Sequence, residues 1–264
     1  MQIADLGKIR LHYRDEGDPQ GLPVIFSNSL GTDLRLWDGV VSHMPDGLRI
    51  IRYDTRGHGL TSAPDGAYFM GDLVQDAAQL LDQLGVKNCV FVGLSIGGMI
   101  AQGLAAERPD LVRALVLSNT AAKIGTPQMW QERMDLIRTG GIAALEESIL
   151  TRWFSESFRR ERAVELSGWR NMLCRTPLPG YLGCCAAISE TDLYDSTARL
   201  RLPTLAIAGA EDGSTPPDLV RETADLVPGS KFRLIRGAGH LPCVEAPAEY
   251  AAILAEFLKE IGHV

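Results

Sequence analysis

A serine stands between two glycines in Gly93-Leu94-Ser95-Ile96-Gly97, after the apolar run 89–92 and before a helix-like stretch that ends near Glu107. A strand, a sharp turn and a helix in this order expose a serine hydroxyl for attack on a carbonyl carbon. Glycine is expected two residues to either side, because the serine backbone is strained and a Cβ there would press against the neighbouring strand or helix. The stretch predicts a nucleophile at Ser95.

Two later strand ends carry the groups that a serine nucleophile needs. The strand-like run 203–209 leads to Asp212, and the run 231–235 leads to His240. Serine, aspartate and histidine, in this chain order and each just past the carboxyl end of a strand, are the triad order of an α/β-hydrolase. We therefore predict that Ser95 attacks, that His240 takes up and returns the proton, and that Asp212 fixes the imidazole tautomer and stabilises its cation.

Two other carboxylates compete for the role of the acid. Glu211 adjoins Asp212 and is expected to point elsewhere on the turn, whereas Asp218 begins a helix and suits a capping or surface role. Some hydrolases of this kind carry the acid after the sixth strand, but the segment 118–121 has no carboxylate. Asp212 is therefore the favoured acid.

Strand-like and helix-like segments alternate along the chain, which predicts a mostly parallel sheet with helices on both faces. The predicted strands lie near residues 2–6, 9–16, 23–27, 48–53, 88–93, 112–118, 203–209 and 231–235. The predicted helices lie near residues 34–44, 70–84, 96–107, 216–226 and 247–261. The first two strands are expected to form an antiparallel start. The predicted fold class is α/β, of the α/β-hydrolase type, with an eight-stranded sheet.

The alternation stops between residues 126 and 198. This stretch has helical periodicity, three tryptophans (Trp130, Trp153 and Trp169) and no convincing strand. It predicts a helical lid inserted between two parts of the core, 1–125 and 199–264. Ligands of open α/β sheets bind at the carboxyl ends of the strands, so we expect the lid to supply substrate contacts there.

The bulk properties limit the class of protein. The chain has 264 residues, of which 45% are hydrophobic, enough for the core of one large α/β domain. A net charge of −7 argues against nucleic acid or an anionic membrane as a partner. No leader peptide is visible, and five cysteines without a C-x-x-C pair are typical of a reducing cytosol. These two features predict a cytoplasmic protein. No two histidines have metal-ligand spacing, so we expect no catalytic metal.

A tetrahedral intermediate needs two backbone N–H donors for its oxyanion. In this type of fold one donor follows the nucleophile, here Ile96, and the other lies in the loop after the third strand. That loop reads Asn28-Ser29-Leu30-Gly31-Thr32, and aligning Asn28-Ser29 with the more common His-Gly pair makes Leu30 the second donor. His58, in a later turn, is expected to hold the backbone near the active site.

Four motifs carry a family resemblance. They are Asn28-Ser29-Leu30-Gly31-Thr32, Tyr53-Asp54-Thr55-Arg56-Gly57-His58-Gly59, Gly93-Leu94-Ser95-Ile96-Gly97-Gly98 and Gly239-His240-Leu241-Pro242-Cys243-Val244-Glu245. Together they resemble the 3-oxoadipate enol-lactonases of the α/β-hydrolase superfamily. That family opens an enol-lactone with a free acetate arm to 3-oxoadipate, without a cofactor, in bacterial catabolism of protocatechuate and catechol. The resemblance implies a small anionic lactone as substrate.

An anionic substrate calls for a cation near the triad. Trp130 and Arg133 are three residues apart and can share one face of a helix in the insertion. Arginine suits bidentate carboxylate binding, so we predict these two as substrate-binding residues. Arg138, Arg152 and Arg175 also lie in the insertion, and such charges are commonly solvated.

The triad leaves other functions open. A different carboxylesterase or a cofactor-free perhydrolase would pass through the same acyl-enzyme, and a non-catalytic ligand receptor can be built on the same fold. Haloalkane dehalogenases and epoxide hydrolases use a carboxylate nucleophile, so Ser95 argues against both.

Overall fold

The strands form one eight-stranded sheet in the order β1-β2-β4-β3-β5-β6-β7-β8, in a computed structural model that describes residues 1–264. The strands are β1 (Gln2–Asp5), β2 (Arg10–Gly17), β3 (Leu22–Ser27), β4 (Leu48–Tyr53), β5 (Cys89–Leu94), β6 (Val112–Ser118), β7 (Thr204–Gly209) and β8 (Lys231–Ile235). Strand β2 pairs antiparallel with both β1 and β4, and every other pairing is parallel. The predicted fold class and the antiparallel start are therefore confirmed.

The central strands are the most apolar. Every residue of β5 and of β7 is buried, as expected for parallel strands with helices on both faces. The edge strand β8 has only one buried residue, at its carboxyl end. The central strands thus form a water-excluded core, and the loops that follow their carboxyl ends are anchored to it.

Twelve α-helices surround the sheet. They are α1 (Asp38–Val41), α2 (Met70–Gln83), α3 (Ile96–Glu107), α4 (Pro127–Gly140), α5 (Glu146–Trp153), α6 (Glu156–Glu161), α7 (Ala163–Cys174), α8 (Leu178–Ser189), α9 (Tyr194–Thr197), α10 (Pro217–Asp225), α11 (Pro242–Glu245) and α12 (Pro247–Glu260). Short 3-10 helices span Leu34–Trp37 and Ile142–Leu145. None of the helices is long and apolar enough to cross a membrane.

The single helix predicted for residues 34–44 is wrong. The segment is a 3-10 turn followed by the four-residue helix α1. The Asp33 carboxylate accepts the Arg35 N–H and so starts a tight turn. Gly39 then lowers the helical propensity, and its position against Pro247 fixes the segment on α12, where an added Cβ would lie 3.0 Å from the proline side chain.

Between β6 and β7 the chain passes through α4 to α9 without a strand. These helices pack on loops that follow the carboxyl ends of strands. An added Cβ at Gly57, after β4, would lie 2.3 Å from Gly180 of α8, and one at Gly213, after β7, would lie 3.1 Å from Arg152 of α5. The helical segment therefore covers the edge of the sheet at which the triad residues were predicted.

Candidate active site

The turn between β5 and α3 places Ser95 in a strained conformation. Its φ of 59° and ψ of −118° lie outside the regions that most side chains adopt. An added Cβ at Gly93 would lie 2.1 Å from the Gly97 carbonyl oxygen, and one at Gly97 would lie 2.4 Å from the Ser27 carbonyl oxygen. Both glycines are therefore required for the close packing of β5, the turn at Ser95 and the oxyanion loop, residues 28–32.

Asp212 and His240 are joined directly. His240 Nδ1 lies 2.9 Å from Asp212 Oδ2. The ionised carboxylate only accepts, so Nδ1 carries the hydrogen and Nε2 is left as the basic nitrogen. The other carboxylate oxygen, Oδ1, accepts the N–H groups of Ser214 at 2.7 Å and Thr215 at 3.0 Å, which fixes the acid within its own loop.

Two residues that support the acid were missed by sequence reasoning. Asn119 Nδ2 donates to Asp212 Oδ2 at 2.8 Å, and Thr215 Oγ1 donates to the same oxygen at 2.8 Å. Burial raises the pKa of Asp212, but His240, then Asn119 and the Ser214 amide, outweigh it and hold the pKa below its usual value. Asn119 has a φ of 45°, a conformation that asparagine tolerates, so an asparagine directly after β6 was the available signal.

Ser95 and His240 do not form a hydrogen bond in this structure. His240 Nε2 has one hydrogen-bonding contact, with the Ser29 hydroxyl at 3.5 Å. Ser95 does not use its side chain to cap α3, so its hydroxyl is free for another partner. Hydrogen bonds between nucleophile and base are often long in free enzymes and shorten when substrate binds.

The two predicted oxyanion donors lie in adjoining loops. Ile96 begins α3, so its N–H has no acceptor within the helix, and the Leu30 N–H has no acceptor in the protein. The next amide, that of Gly31, donates to His58 Nε2 at 2.9 Å. Burial lowers the pKa of His58, which keeps the ring neutral with Nδ1 as the donor to the Arg56 carbonyl oxygen. His58 therefore holds the loop that presents Leu30.

In α4, Trp130 and Arg133 share one face, as their spacing predicts. The Arg133 guanidinium lies over the rings of Trp130 and Tyr181, at 5.4 Å and 5.8 Å from their centroids. It donates one hydrogen bond, to the Tyr181 hydroxyl at 2.5 Å, and its buried Nε has no partner. Tyr181 in turn packs near the oxyanion loop, because an added Cβ at Gly31 would lie 3.2 Å from its ring.

A second arginine of the helical segment lies beside the loop of the acid. The Arg152 carbonyl oxygen accepts the Gly213 N–H at 3.3 Å, next to Asp212. Burial, and after it the positive charge of Arg133, lower the pKa of Arg152. The two guanidinium groups are therefore close enough to repel each other, and no carboxylate forms an ion pair with either.

The loop that carries His240 also forms hydrogen bonds with the helical segment between β6 and β7. The Leu241 N–H donates to the Trp153 carbonyl oxygen at 3.2 Å. The Glu245 carboxylate accepts the Gly239 N–H at 2.6 Å and the Ser155 N–H at 3.1 Å. Burial raises the pKa of Glu245, against the effect of these hydrogen bonds. Glu245 thus joins the histidine loop to the start of α6.

Metal-ligand clusters and cavities elsewhere in the molecule are the other candidates for a site. No group of three or more histidine, cysteine, aspartate or glutamate side chains is arranged to hold a metal ion. A cavity of about 900 Å³ lies between the N-terminal strands, the segment 32–35 and α7, and no triad residue lines it. The candidate site is therefore the cluster of loops around Ser95.

A family model described as the alpha/beta hydrolase family matches residues 24–253. The chain belongs to this family. It is 34% identical to 3-oxoadipate enol-lactonase 2 of Acinetobacter baylyi over 96% of this chain and 95% of that protein. The solved enol-lactonase of Burkholderia xenovorans LB400 is 34% identical, with a TM-score of 0.94 over 98% of this chain and 100% of that one. A malate-bound thermophilic esterase of Thermogutta terrifontis is 29% identical, with a TM-score of 0.91 over 97% and 95% of the two chains.

These similarities confirm the predicted α/β-hydrolase family and the resemblance to enol-lactonases. The prediction of a hydrolytic enzyme is confirmed at the same level.

Proposed function

We propose that this enzyme opens the enol-lactone of 3-oxoadipate, a lactone that carries a free carboxylate. The observation that carries the proposal is Arg133, a largely buried guanidinium beside the site with no acidic partner and an unpaired Nε. An isolated buried charge is costly, so a site of this kind is stabilised when an anion binds. The enol-lactonase relatives support this choice of lactone.

The reaction follows from the loops around Ser95. Ser95 Oγ attacks the lactone carbonyl carbon while His240 Nε2 takes the hydroxyl proton, and the Leu30 and Ile96 N–H groups bind the oxyanion. The ring C–O bond then breaks, and Nε2 returns the proton to the leaving enol oxygen. Water hydrolyses the acyl-enzyme by the same steps, with Asp212 stabilising the imidazolium each time. No cofactor or metal takes part.

The carboxylate of the substrate binds in the arginine site, which comprises Arg133, Arg152 and Tyr181. Burial raises the pKa of Tyr181 to about 12, so it is a neutral hydroxyl. Its oxygen accepts from Arg133, which leaves its own proton available to a carboxylate. Trp130 backs the guanidinium and holds its plane. Binding relieves the repulsion between the two arginines, so the anion gains from both charges.

Arg133→Ala tests the carboxylate site. We expect kcat/KM for the carboxylated lactone to fall roughly 30- to 150-fold. This loss corresponds to about 2–3 kcal/mol of transition-state stabilisation, the scale of a charge-assisted contact. Hydrolysis of a small neutral lactone should be almost unchanged, because the triad does not depend on that charge. Arg138→Ala is the matched control, since Arg138 lies on the same helix but is exposed and paired with Asp135.

Equal losses on the charged and the neutral lactone would contradict the carboxylate role and indicate a disturbed helical segment. Arg133→Lys sharpens the result: it keeps the charge but loses the planar fork, so an intermediate loss indicates bidentate binding.

The other acyl-enzyme functions differ in substrate. A putative non-heme bromoperoxidase, BpoC of Mycobacterium tuberculosis, is 28% identical over 96% of this chain, so a perhydrolase is the second candidate. Comparing the carboxylated lactone, p-nitrophenyl esters, and acetate with hydrogen peroxide separates lactonase, esterase and perhydrolase. A receptor would show little multiple-turnover hydrolysis of any of them. We further propose that the enzyme acts in the cytoplasm on small molecules, without nucleic-acid or membrane partners.

A further inference from the structure

The Ser29 hydroxyl occupies a place beside the base that the mechanism above does not use. Ser29 follows β3 and is almost fully buried. Its Oγ lies 3.5 Å from His240 Nε2 and has no other hydrogen-bonding neighbour. The more common His-Gly pair has glycine at this position, which provides no hydroxyl. This chain therefore has one more donor at the nitrogen that transfers the proton.

The backbone around Ser29 is held from both sides. The Ser29 carbonyl oxygen accepts from the Thr32 hydroxyl at 2.8 Å and from the Thr32 N–H at 3.2 Å. The preceding Asn28 side chain donates to the Tyr53 carbonyl oxygen at 2.7 Å and accepts from Trp37 Nε1 at 2.9 Å. These contacts fix the position of the backbone that carries the Ser29 hydroxyl beside Nε2.

The position of Nε2 defines where the leaving oxygen must be. A general acid acts from about 2.6–3.2 Å, so the oxygen that receives the proton lies within that distance of Nε2. An oxygen at that distance, on the side of Nε2 that faces Ser29, is also within hydrogen-bonding reach of Ser29 Oγ, because Oγ and Nε2 are 3.5 Å apart. We propose that Ser29 donates a hydrogen bond to the leaving oxygen of the substrate as the acyl C–O bond breaks.

The proton balance is simple. The proton that Nε2 delivers came from Ser95, the electron pair of the broken C–O bond stays on the leaving oxygen, and Ser29 keeps its own proton throughout. In a lactone the leaving oxygen remains attached to the acyl chain, so the same hydroxyl then holds the enol in the site. The proposal rests on the serine-hydrolase function given above, but not on the choice of lactone.

Dependence on the leaving group tests this role. The wild-type protein and Ser29→Ala would be compared on acetate esters of alcohols and phenols that range from poor to good leaving groups, by kcat/KM. A hydroxyl that stabilises the leaving oxygen matters most when that oxygen is most basic. We expect a loss of about ten- to hundredfold for an alkyl ester, a loss of less than about threefold for the p-nitrophenyl ester, and a steeper dependence on leaving-group pKa.

Ser29→Cys keeps the size of the side chain and weakens the donor, so its dependence should lie between those of the wild type and Ser29→Ala. Circular dichroism checks that both variants are folded. An equal loss on every ester would overturn the proposal, because it would mean that Ser29 only orients the imidazole. No loss on any ester would overturn it as well. Neutral esters are used throughout, so failure here is distinguishable from absence of lactone turnover, which concerns the proposed function alone.

Discussion

Removing the His58 acceptor should damage catalysis from a distance. In His58→Leu the buried Gly31 N–H loses its acceptor at 2.9 Å. An unsatisfied buried donor costs about 1–3 kcal/mol, so the free energy of unfolding should fall by about that amount. The loop can reduce this cost by moving, but the movement displaces the adjoining Leu30 N–H from the oxyanion. Outright loss of one such donor costs about 10²–10³ in kcat, so we expect a fall of about ten- to hundredfold.

The assay is kcat and KM on a neutral aryl ester, together with urea unfolding. Because the oxyanion forms only in the transition state, kcat should fall while KM changes little. His58→Gln offers an amide oxygen as a replacement acceptor and should recover part of both losses. His43→Leu, at an exposed histidine, is the control. A His58→Leu protein that is destabilised as expected yet keeps kcat within about twofold would refute the link between this hydrogen bond and Leu30.

Three further predictions concern the nucleophile, the turn and the response to acid. Ser95→Ala should lower kcat by about 10⁴-fold or more with the fold intact, and retention of most activity in an ester assay would exclude Ser95 as nucleophile. Gly97→Ala should lower the free energy of unfolding by more than about 3 kcal/mol because its Cβ meets backbone, whereas Gly168→Ala, on α7 with open space around it, should raise it by about 0.5–1 kcal/mol; thermal unfolding of the two would show no such contrast if the packing argument is wrong. Burial lowers the pKa of His58 and that of His263, the latter to about 4, so the unfolded chain binds protons first as the pH falls. The free energy of unfolding should therefore decline below about pH 6.5, and a urea series that showed it rising between about pH 6.5 and 5 would contradict this sign.

Most of the strands were predictable because their apolar runs are buried. The runs 48–53 and 112–118 are strands with the predicted bounds, and so is 231–235, although this edge strand buries only one residue. Helix α3 also begins and ends as predicted, because the strained serine fixes its start. The single helix predicted for 34–44 was wrong because the prediction gave too little weight to the Asp33 turn and to Gly39, and because the contact of Gly39 with Pro247 depends on the folded chain.

Some residues of the candidate site could be predicted from the sequence and others could not. Ser95, Asp212 and His240 could be proposed because each follows a recognisable strand and their order is informative. The position of Asn119 directly after β6 was a signal, but its hydrogen bond to Asp212, 93 residues away, depends on the pairing of β6 with β7 in the folded sheet. The same holds for Arg152, whose lack of an acidic partner is a property of the folded chain alone.

The helical segment between β6 and β7 contacts the loops of the triad residues and also carries the proposed anion site. Within four consecutive residues, the carbonyl oxygens of Arg152 and Trp153 accept N–H groups from the loops of Asp212 and His240, and Ser155 binds the carboxylate of Glu245. The side chain of Arg152 lies in the proposed anion site. The proposed anion site and the hydrogen bonds that position the loops of Asp212 and His240 therefore depend on the same segment, residues 152–155. A substitution that shifts this segment should change kcat for neutral esters, whereas one that removes only the charge should not, which is why the neutral substrate is the informative comparison for every variant in this region.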